Sequence, residues 1–365
     1  MASTSTLEPR CQNGVADFKA FRASLFSAGV IKKEPVRVVL ELLFHIAVVT
    51  TAMTLFVLYN DFTVRFSSMI VLSVGCLGIS TNTHTSSHYA TSHRRWLNEG
   101  LTYFGYSFLM GFSANYWWQK HGVHHKHPNM VGVDTDIDLM PVFAMTSEEF
   151  DRSKGMARAF YSIQWVVFPF ALALNSLNMQ RYSVQFLLGK IIRDRRTDRR
   201  FLIDAVLMLL HFLLWLIVPM FFFSWSSVLG FYVCQRVIFG YLMFSVFAPS
   251  HYPHEAAFVR QDGDTGNYVL SQTATTVNYR TGWIGRMMCS GLQYQIEHHL
   301  FPDVSHTCYP RLSARVREYC NNHGYPYREI SWDLSLWKSL LVLYKPKKVE
   351  DQLNFSVKEL SRPEC

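Results

Sequence analysis

The sequence predicts an all-α integral membrane protein with four transmembrane helices in two hairpins and a helical cap on the cytoplasmic side. Three observations lead to this fold class. Charged residues make up 17% of the 365 residues and hydrophobic residues 49%, whereas soluble domains carry about 25% charged residues. Four apolar runs are long enough to cross a hydrocarbon core of ~30 Å as helices. Basic residues are nearly absent from the links within each pair of runs.

The four apolar runs form two pairs that a long, more polar stretch separates. Val38–Tyr59 is followed, after "NDFTVR", by a run that begins at Phe66 and extends through "IVLSVGCLGIS". Far downstream, Phe201–Phe223 is followed, after the uncharged link "SWSS", by Leu229–Phe247. Because both links are short, the members of each pair are expected to be antiparallel neighbours. Each pair therefore predicts a transmembrane hairpin.

The distribution of positive charge predicts the orientation of these spans. His84–Arg200 holds 14 Lys or Arg, the N-terminal 37 residues hold six, and the chain after His251 holds 13. The two hairpin links hold one between them, Arg65. Since Lys and Arg collect on the cytoplasmic side, both termini and the central segment are expected there. The predicted parts are a cytoplasmic N-terminal segment (1–37), a membrane domain (38–335) and a cytoplasmic C-terminal tail (336–365).

Two further stretches, Gly100–Trp118 and Phe160–Met179, are apolar enough to resemble spans. A spanning Gly100–Trp118 would place His84 and His121 on opposite sides of the bilayer. We therefore predict that both stretches are interfacial or re-entrant helices on the cytoplasmic side.

Composition also excludes some classes of function. A formal charge of +8 fits contact with anionic membrane lipids, but the chain has no basic domain of the kind that binds nucleic acid. Residues 1–30 lack the apolar core of a signal peptide. The seven cysteines form no CxxC pair, so they are expected to be reduced thiols.

The histidines are grouped at spacings that place them on single helix faces. "HTSSH" has two histidines at i and i+4, "HGVHH" has three at i, i+3 and i+4, and "QIEHH" repeats that spacing with glutamine first. One more histidine follows the fourth span in "APSHYPHE". All these groups are expected at cytoplasmic helix ends, where they can converge. The candidate metal ligands are His84, His88, His121, His124, His125, His251, Gln295, His298 and His299.

Eight histidines exceed the four to six positions around one ion, so the sequence favours two ions. Imidazole suits iron, zinc, copper or nickel better than calcium or magnesium. Glu297 and the acids of "DTDIDL" (Asp134, Asp136 and Asp138) are candidate acceptors that would orient the rings, although the acids of "DTDIDL" fit a solvated loop equally well. Gln295 either binds an ion through its amide oxygen or hydrogen-bonds to a ligand.

Isolated polar residues within the spans are predicted to have structural roles. His45 and His211 stand alone in spans and are expected to be hydrogen-bonded structural residues. Arg236 needs a partner, for which a lipid headgroup, water or Glu41 are candidates.

The ordered motifs HxxxH, HxxHH and QxxHH, spread over paired membrane hairpins, resemble those of the integral-membrane fatty acid desaturases. "QIEHHLFP" and "WWQKHGVHHKHPN" followed by "DTDIDL" are similar to the front-end group, which acts between an existing double bond and the carboxyl end of the acyl chain. The resemblance covers roughly Val38 to Leu312. It differs at Gly122, where asparagine is common, and in the residue after His84, where an acid is usual.

The resemblance implies that the eight histidines hold a di-iron centre in the cap, with Gln295 at the first position of the third motif. It implies an oxygen-dependent reaction that takes two vicinal hydrogens from an acyl-lipid or acyl-CoA, giving a cis double bond and water. No side-chain acid or base can take hydrogen from an alkane, so a metal and O2 are expected to supply that chemistry. No HPGG haem motif precedes the first span. A separate electron donor, such as ferredoxin or cytochrome b5, is therefore expected.

Three other functions fit parts of the pattern. A hydroxylase or ketolase on the same di-iron scaffold differs only in its product. A histidine-rich metal transporter would need polar groups near mid-bilayer along broken spans, whereas the groups here are at span ends. A zinc hydrolase would need about three protein ligands for each ion. Eight histidines exceed that number for a single zinc.

Overall fold

The computed structural model describes residues 8–195, 198–260, 267–350 and 353, with side chains from Ala16 onward. Most of these residues are helical. The α-helices of this described part are α1 (Glu8–Ser27), α2 (Pro35–Leu58), α3 (Phe62–Ser87), α4 (Arg95–Thr102), α5 (Ala114–Lys126), α6 (Ser147–Arg152), α7 (Gly155–Leu172), α8 (Asn175–Leu188), α9 (Arg199–Phe212), α10 (Trp225–Phe247), α11 (Tyr268–Ala274), α12 (Trp283–Cys289), α13 (Gln295–Leu300), α14 (Tyr309–His323) and α15 (Trp332–Tyr344).

Shorter helical turns of π or 3-10 type connect or extend several of these helices. The π-helical segments are Tyr103–Met110, Gly189–Arg193 and Leu213–Ile217, and the 3-10 segments are Val218–Phe221, Ala248–Ser250 and His306–Cys308.

Four helices in the described residues are long and apolar enough to cross a membrane, as predicted. They are Pro35–Leu58, Phe62–Ser87, Arg199–Phe221 and Trp225–Ser250. Only 17% to 44% of each apolar window is buried inside the protein, so most of the apolar surface faces outward, as lipid requires. α2 packs along α3, and α3 packs on α10.

The second span is longer than its hydropathy predicts. The apolar run ends near Ser80, but α3 continues through the polar "TNTHTSS" to Ser87. These polar residues are buried in protein rather than in lipid: Thr81 Oγ1 donates to Met288 O (2.7 Å) and Asn82 Nδ2 donates to Val38 O (3.2 Å). Because protein groups satisfy them, the helix can remain polar at the end where His84 and His88 lie.

The stretch Gly100–Trp118 is a broken element and not a span. The π-helical segment Tyr103–Met110 ends at Gly111, which has a left-handed φ of 67°, and α5 begins three residues later. The N-terminus of α5 is held by Asp204 of α9, a buried carboxylate within the third span. Asp204 accepts hydrogen bonds from Ser107 Oγ (2.5 Å), Ser113 Oγ (2.6 Å), Asn115 Nδ2 (2.8 Å) and two backbone N–H groups.

The stretch Phe160–Met179 is part of the bent pair α7 and α8, whose axes differ by 76°. By length and composition this pair is either a broken span or a re-entrant loop. Its re-entrant assignment therefore remains a prediction.

The remaining elements form a cap at the end of the bundle where α3 and α10 terminate. α1 packs on the cap through Phe18 and Phe21, whose rings lie 5.3 Å from Phe301 and 4.3 Å from Tyr319. α15 packs against α7, and Lys347, which follows α15 in the chain, is buried. The described terminal elements thus lie at the same end of the spans.

The fold is not purely α-helical, which corrects the predicted class in one detail. β1 (Phe258–Val259) pairs in parallel with β4 (Val349–Glu350), and β2 (Asn278–Arg280) pairs in parallel with β3 (Glu329–Ser331). These pairs are two and three residues long, too short for a period-2 pattern to be visible in the sequence. They tie the C-terminal region to the segment that follows the fourth span.

Asp204 holds the helix that carries the second histidine motif, and its hydrogen bonds generate a prediction about the stability of the protein. Asp204→Asn should lower the free energy of unfolding by about 2–3 kcal/mol, because an amide cannot accept from the same set of donors and charged hydrogen bonds are the stronger ones. Thermal denaturation of the purified protein measures this. Asp61→Asn is the matched control, since Asp61 only caps exposed Val64 N and asparagine caps equally well. Equal losses in both variants would contradict this role of Asp204.

Candidate metal centre

The first histidine motif lies at the buried end of α3. His84 is in its last turn and His88 caps its C-terminus. Two indole groups of α5 hold this end in place: Trp117 Nε1 donates to Ser87 Oγ (3.2 Å) and Trp118 Nε1 donates to Ser87 O (2.9 Å). The tryptophans therefore dock the second motif, on the same helix α5, beside the first.

The third motif is the short helix α13, which is buried along its whole length. Asn278 clamps its first turn, because its Oδ1 accepts from Ile296 N and its Nδ2 donates to Glu297 Oε2, both at 2.8 Å. Tyr327 OH donates to Glu297 Oε1 (2.7 Å). Glu297 was expected to orient an imidazole, and this is wrong: its carboxylate faces away from the rings and anchors the helix. Burial raises the pKa of Glu297 to about 7.

Five imidazoles form one compact group, made of His84, His88, His121, His125 and His298. His121 Nε2 lies 2.7 Å from His84 Nε2 and 3.0 Å from the Nε2 atoms of His88 and His125. A ring nitrogen offers one donor or one acceptor site, so hydrogen bonding explains only one of these three contacts. Neighbouring ligands on an ion with bonds of about 2.0–2.1 Å lie about 3 Å apart. The spacing fits ligands around a cation.

Three further imidazoles, His124, His251 and His299, form an adjacent group. The ring of His124 lies 4.5 Å from that of His251 and 5.0 Å from that of His299. The two groups touch where the rings of His125 and His299 stack at 4.4 Å. The structure therefore brings all eight predicted histidines together as two neighbouring groups.

Gln295 lies beside the second group. Its Nε2 is 2.9 Å from His251 Nε2, and rotation of the amide by 180° would present the oxygen at the same place. The amide is thus near enough to bind an ion or to hydrogen-bond to a ligand, the two roles that the sequence leaves open.

Outer hydrogen bonds hold several rings with one nitrogen directed into the groups. His124 Nδ1 donates to Asp134 Oδ2 (2.8 Å), a carboxylate with no exposed surface. His299 Nδ1 donates to Gln272 Oε1 (2.8 Å), while Gln272 Nε2 donates to His125 O (3.1 Å). His298 Nδ1 lies 3.2 Å from Tyr309 OH. Such contacts fix the ring tautomer and orientation.

These contacts settle which acids of "DTDIDL" face the rings. Asp134 does so, as the sequence analysis allowed, and Asp136 Oδ2 lies 3.6 Å from His124 Nδ1. Asp138 accepts from Met140 N instead.

Several of these rings carry buried nitrogens without partners among the described residues. His298 Nε2 and His299 Nε2 are among the buried atoms that form no hydrogen bond in the described part of the chain. Burial, together with neighbouring imidazoles, lowers the pKa of His88 to about 3. The same causes lower the pKa of these rings well below the usual range: His121, His125, His251, His298 and His299. Neutral imidazoles with free lone pairs are the form that binds transition metals, so the residues present fit the ions that the sequence predicts.

A cavity of about 180 Å³ opens beside both groups. His84, His121 and His251 form one wall, and Trp117, Met243, Phe244 and Phe247 form an apolar wall. Lys120 and Asp136, which form an ion pair, also line it. The cavity therefore brings an apolar surface next to the imidazole groups.

Comparison with known proteins agrees with this geometry. The chain matches the profile of the family described as "Fatty acid desaturase" over residues 62–331, which is more than half of its length. The chain belongs to the fatty acid desaturase family. This membership makes it an oxidoreductase of the desaturase type, in agreement with the sequence prediction.

The relatives of this desaturase include proteins named as Delta(5), Delta(8) and 6-desaturases. It is 27% identical to the Delta(5) fatty acid desaturase fat-4 of Caenorhabditis elegans, over 92% of this chain and 75% of that protein. It is 27% identical to the Delta(8)-fatty-acid desaturase of Euglena gracilis, over 86% and 74% of the two chains. The sn-1 linoleoyl-lipid 6-desaturase of Synechocystis is 27% identical to this chain, over 73% of this chain and 76% of that protein.

Two polar residues within the spans of the desaturase, His211 and Arg236, form hydrogen bonds within the protein. His211 Nδ1 donates to Phe108 O (3.0 Å), which fits its predicted structural role. Arg236 does not pair with Glu41, one of its three candidate partners. Its Nη1 donates to Met110 O (3.0 Å) and its Nε donates to Gln235 Oε1 (2.6 Å). Glu41 instead contacts Arg37 and His306.

Sequence reasoning missed Gln272 and Tyr309. Neither belongs to a histidine motif, and "LSQTATT" and "TCYP" contain no spacing that indicates a contact with a ring. Only the packing of α11 and α14 against α13 reveals them.

Gln272 generates a prediction about ring orientation in the desaturase. Gln272→Leu should weaken iron binding about 10- to 100-fold, because His299 loses its acceptor and His125 loses a backbone contact. Gln272→Glu, which keeps the acceptor, should weaken it less. Iron retained against a chelator of known affinity measures the effect.

The matched control for this prediction is Gln164→Leu. Gln164 is an equally buried glutamine whose amide bonds Ala144 and Leu343 and touches no candidate ligand. If Gln164→Leu lowers iron affinity as much as Gln272→Leu, the loss reflects general destabilisation and the positioning role is wrong.

Gln295 generates a second prediction about the same centre. If its amide binds an ion, Gln295→His should keep iron content and activity better than Gln295→Ala, because imidazole supplies a replacement ligand. Iron stoichiometry and turnover of both variants provide the measurement. Equal loss in the two variants would rule out a ligand role and leave hydrogen bonding to His251.

Proposed function

We propose that this protein is an oxygen-dependent di-iron desaturase that inserts a cis double bond into a lipid acyl chain, on the carboxyl side of an existing double bond. The observation that carries this proposal is the convergence of eight imidazoles, from four separate parts of the chain, into two adjacent groups beside an apolar cavity. Hydrolysis or metal transport does not need two such groups at the ends of spans.

In this proposal, one iron is held by the five-histidine group and the other by His124, His251 and His299, with Gln295 beside them. Two ferrous ions would supply an oxidant, from O2 and two electrons, that is strong enough to take hydrogen from a methylene. The protein's own contribution is orientation. Asp134, Gln272 and Tyr309 hold the rings in one tautomer, and Asn278 holds the helix that carries His298 and His299.

The cavity walls suit an acyl chain next to the imidazoles. Trp117, Met243 and Phe247 offer apolar contacts, which stabilise methylene groups by about 0.8 kcal/mol each when these are buried. The same walls exclude water from the reacting carbons. The ion pair of Lys120 and Asp136 marks the polar part of the cavity.

The names of these relatives support front-end chemistry. The Caenorhabditis elegans and Euglena gracilis relatives are called Delta(5) and Delta(8) desaturases, and the Synechocystis relative is named for a linoleoyl-lipid substrate. We propose an acyl-lipid or acyl-CoA substrate for this chain, with electrons from a separate donor such as ferredoxin or cytochrome b5. No observation favours the hydroxylase alternative.

The proposed orientation follows the distribution of basic residues. The imidazole groups lie at the end of the bundle where α2 begins and α3 and α10 terminate. The segments joined at this end are rich in Lys and Arg, and this supports a cytoplasmic location for the candidate active site and both termini. The proposed parts are 1–37, the membrane domain 38–335 and the tail 336–365.

Expression in a host with a simple lipid profile, supplied with an unsaturated fatty acid, tests the proposed function. We expect new acyl chains that are two hydrogens lighter, with O2 uptake that depends on a supplied reductant. Mass spectrometry with double-bond localisation gives the position. Products heavier by one oxygen would establish a hydroxylase instead, and a double bond on the methyl side of the existing one would contradict front-end chemistry.

His298→Ala and His125→Ala should each abolish this activity, because each removes a ring from the five-histidine group. Both variants should still insert into the membrane, which fractionation and protease protection measure. Full activity in either variant would remove that histidine from the ligand set.

A further inference from the structure

The cavity beside the imidazole groups, in which we propose that the acyl chain lies, is called the acyl cavity here. A second cavity lies on the other side of the third motif. It is a groove of about 600 Å³ between α2 and α12. Leu292 lines the acyl cavity, whereas the next residue, Gln293, lines this groove. Nothing in the proposed desaturase chemistry uses the groove, although it lies at the same end of the bundle, where α2 begins.

The rim of the groove is apolar and open. Leu40 is 61% exposed and Trp283 is 65% exposed, and Phe44 and Met287 continue the same surface. Leu40 and Phe44 belong to the first turns of a span, and exposed tryptophan is typical of the membrane–water interface. A molecule in the groove therefore contacts hydrocarbon on one side and the headgroup region on the other.

Two polar side chains of the groove have no hydrogen-bond or ion-pair partner among the described residues. One is Arg286, an exposed arginine that lines the groove. Gln293 is only 6% exposed, and its Oε1 has no hydrogen-bond partner. A buried amide oxygen without a donor is unfavourable, so this atom indicates a ligand that donates a hydrogen bond.

The remaining charges of the groove are balanced. Arg37 Nε donates to Glu41 Oε1 (3.1 Å), and His306 Nε2 donates to Glu41 Oε2 (2.7 Å). Arg37 and Glu41 thus neutralise each other, and the guanidinium of Arg286 remains as an unpaired positive charge. The ligand that complements this surface has an anionic group, a hydrogen-bond donor and a hydrocarbon part.

We infer that this groove binds a phosphoglycerolipid, with its phosphate on Arg286, a headgroup hydroxyl or ammonium group on Gln293 and its acyl chains along Leu40 and Phe44. A soluble anion does not account for the exposed apolar rim, and a neutral lipid does not account for Arg286. The site is separate from the acyl cavity and does not depend on the proposed reaction.

Native mass spectrometry of the delipidated full-length protein tests this inference. Dioleoyl phosphatidylglycerol should be retained as one bound molecule, whereas dioleoylglycerol, which has the same chains without phosphate, should not. Arg286→Gln should weaken phosphatidylglycerol binding about tenfold or more, the usual effect of losing a charged hydrogen bond. Arg286→Lys should restore part of the affinity.

The matched control is Arg280→Gln, since Arg280 is exposed like Arg286 and lies in the same region but does not line the groove. It should bind as the unaltered protein does. Equal binding by the Arg286→Gln variant would overturn the inference. Displacement of the lipid by inorganic phosphate or by oleoyl-CoA would overturn the assignment to a phosphoglycerolipid.

Gln293 gives an independent readout that does not depend on charge. Phosphatidylcholine carries a phosphate but no headgroup donor, so the unaltered protein should prefer phosphatidylglycerol over it. Gln293→Leu should remove that preference, and thermal denaturation shows whether the variant is folded. An unchanged preference in folded Gln293→Leu protein would contradict the role of Gln293.

Discussion

The structure depends on bringing eight imidazoles together, buried or half-buried, at the end of a membrane bundle. Such an arrangement is unfavourable for the protein alone, because several ring nitrogens face each other at 2.7–3.0 Å without enough hydrogens to share. Two features resolve this conflict. Outer partners such as Asp134 and Gln272 take up one nitrogen of a ring, and cations between the groups would complement the free lone pairs. Burial, packing and metal affinity are therefore parts of the same problem.

Polar contacts within the bundle position the helix that carries the second motif. Asp204 holds the first turn of α5 from one side, while Arg236 and Gln180 both donate to Met110 O, at the break before it. A chain break at this depth is tolerated only where protein groups satisfy the free backbone atoms. The intramembrane Asp and Arg of this chain thus have a structural explanation, and the break they stabilise allows His121 to meet His84.

The third motif separates two cavities of different character. On one side, the acyl cavity combines imidazoles with aromatic and methionine side chains. On the other, the groove between α2 and α12 combines an unpaired guanidinium with an apolar rim. His306 links the groove to the first motif, since Thr85 Oγ1 donates to its Nδ1 (2.6 Å) next to His84. Residues 291–295 therefore contribute to both surfaces through a single short segment.

The sequence by itself determined the four spans, the fatty acid desaturase family and the set of residues that converge, because apolar length and one-face histidine spacing are local properties. The extension of α3 to Ser87, the two strand pairs and the direction of Glu297 were decided by tertiary structure, since each depends on partners far away in the chain. The same holds for Gln272 and Tyr309, whose contacts with His299 and His298 carry no local signal. Hydropathy describes how a segment meets lipid, but only packing decides which polar groups find each other inside the protein.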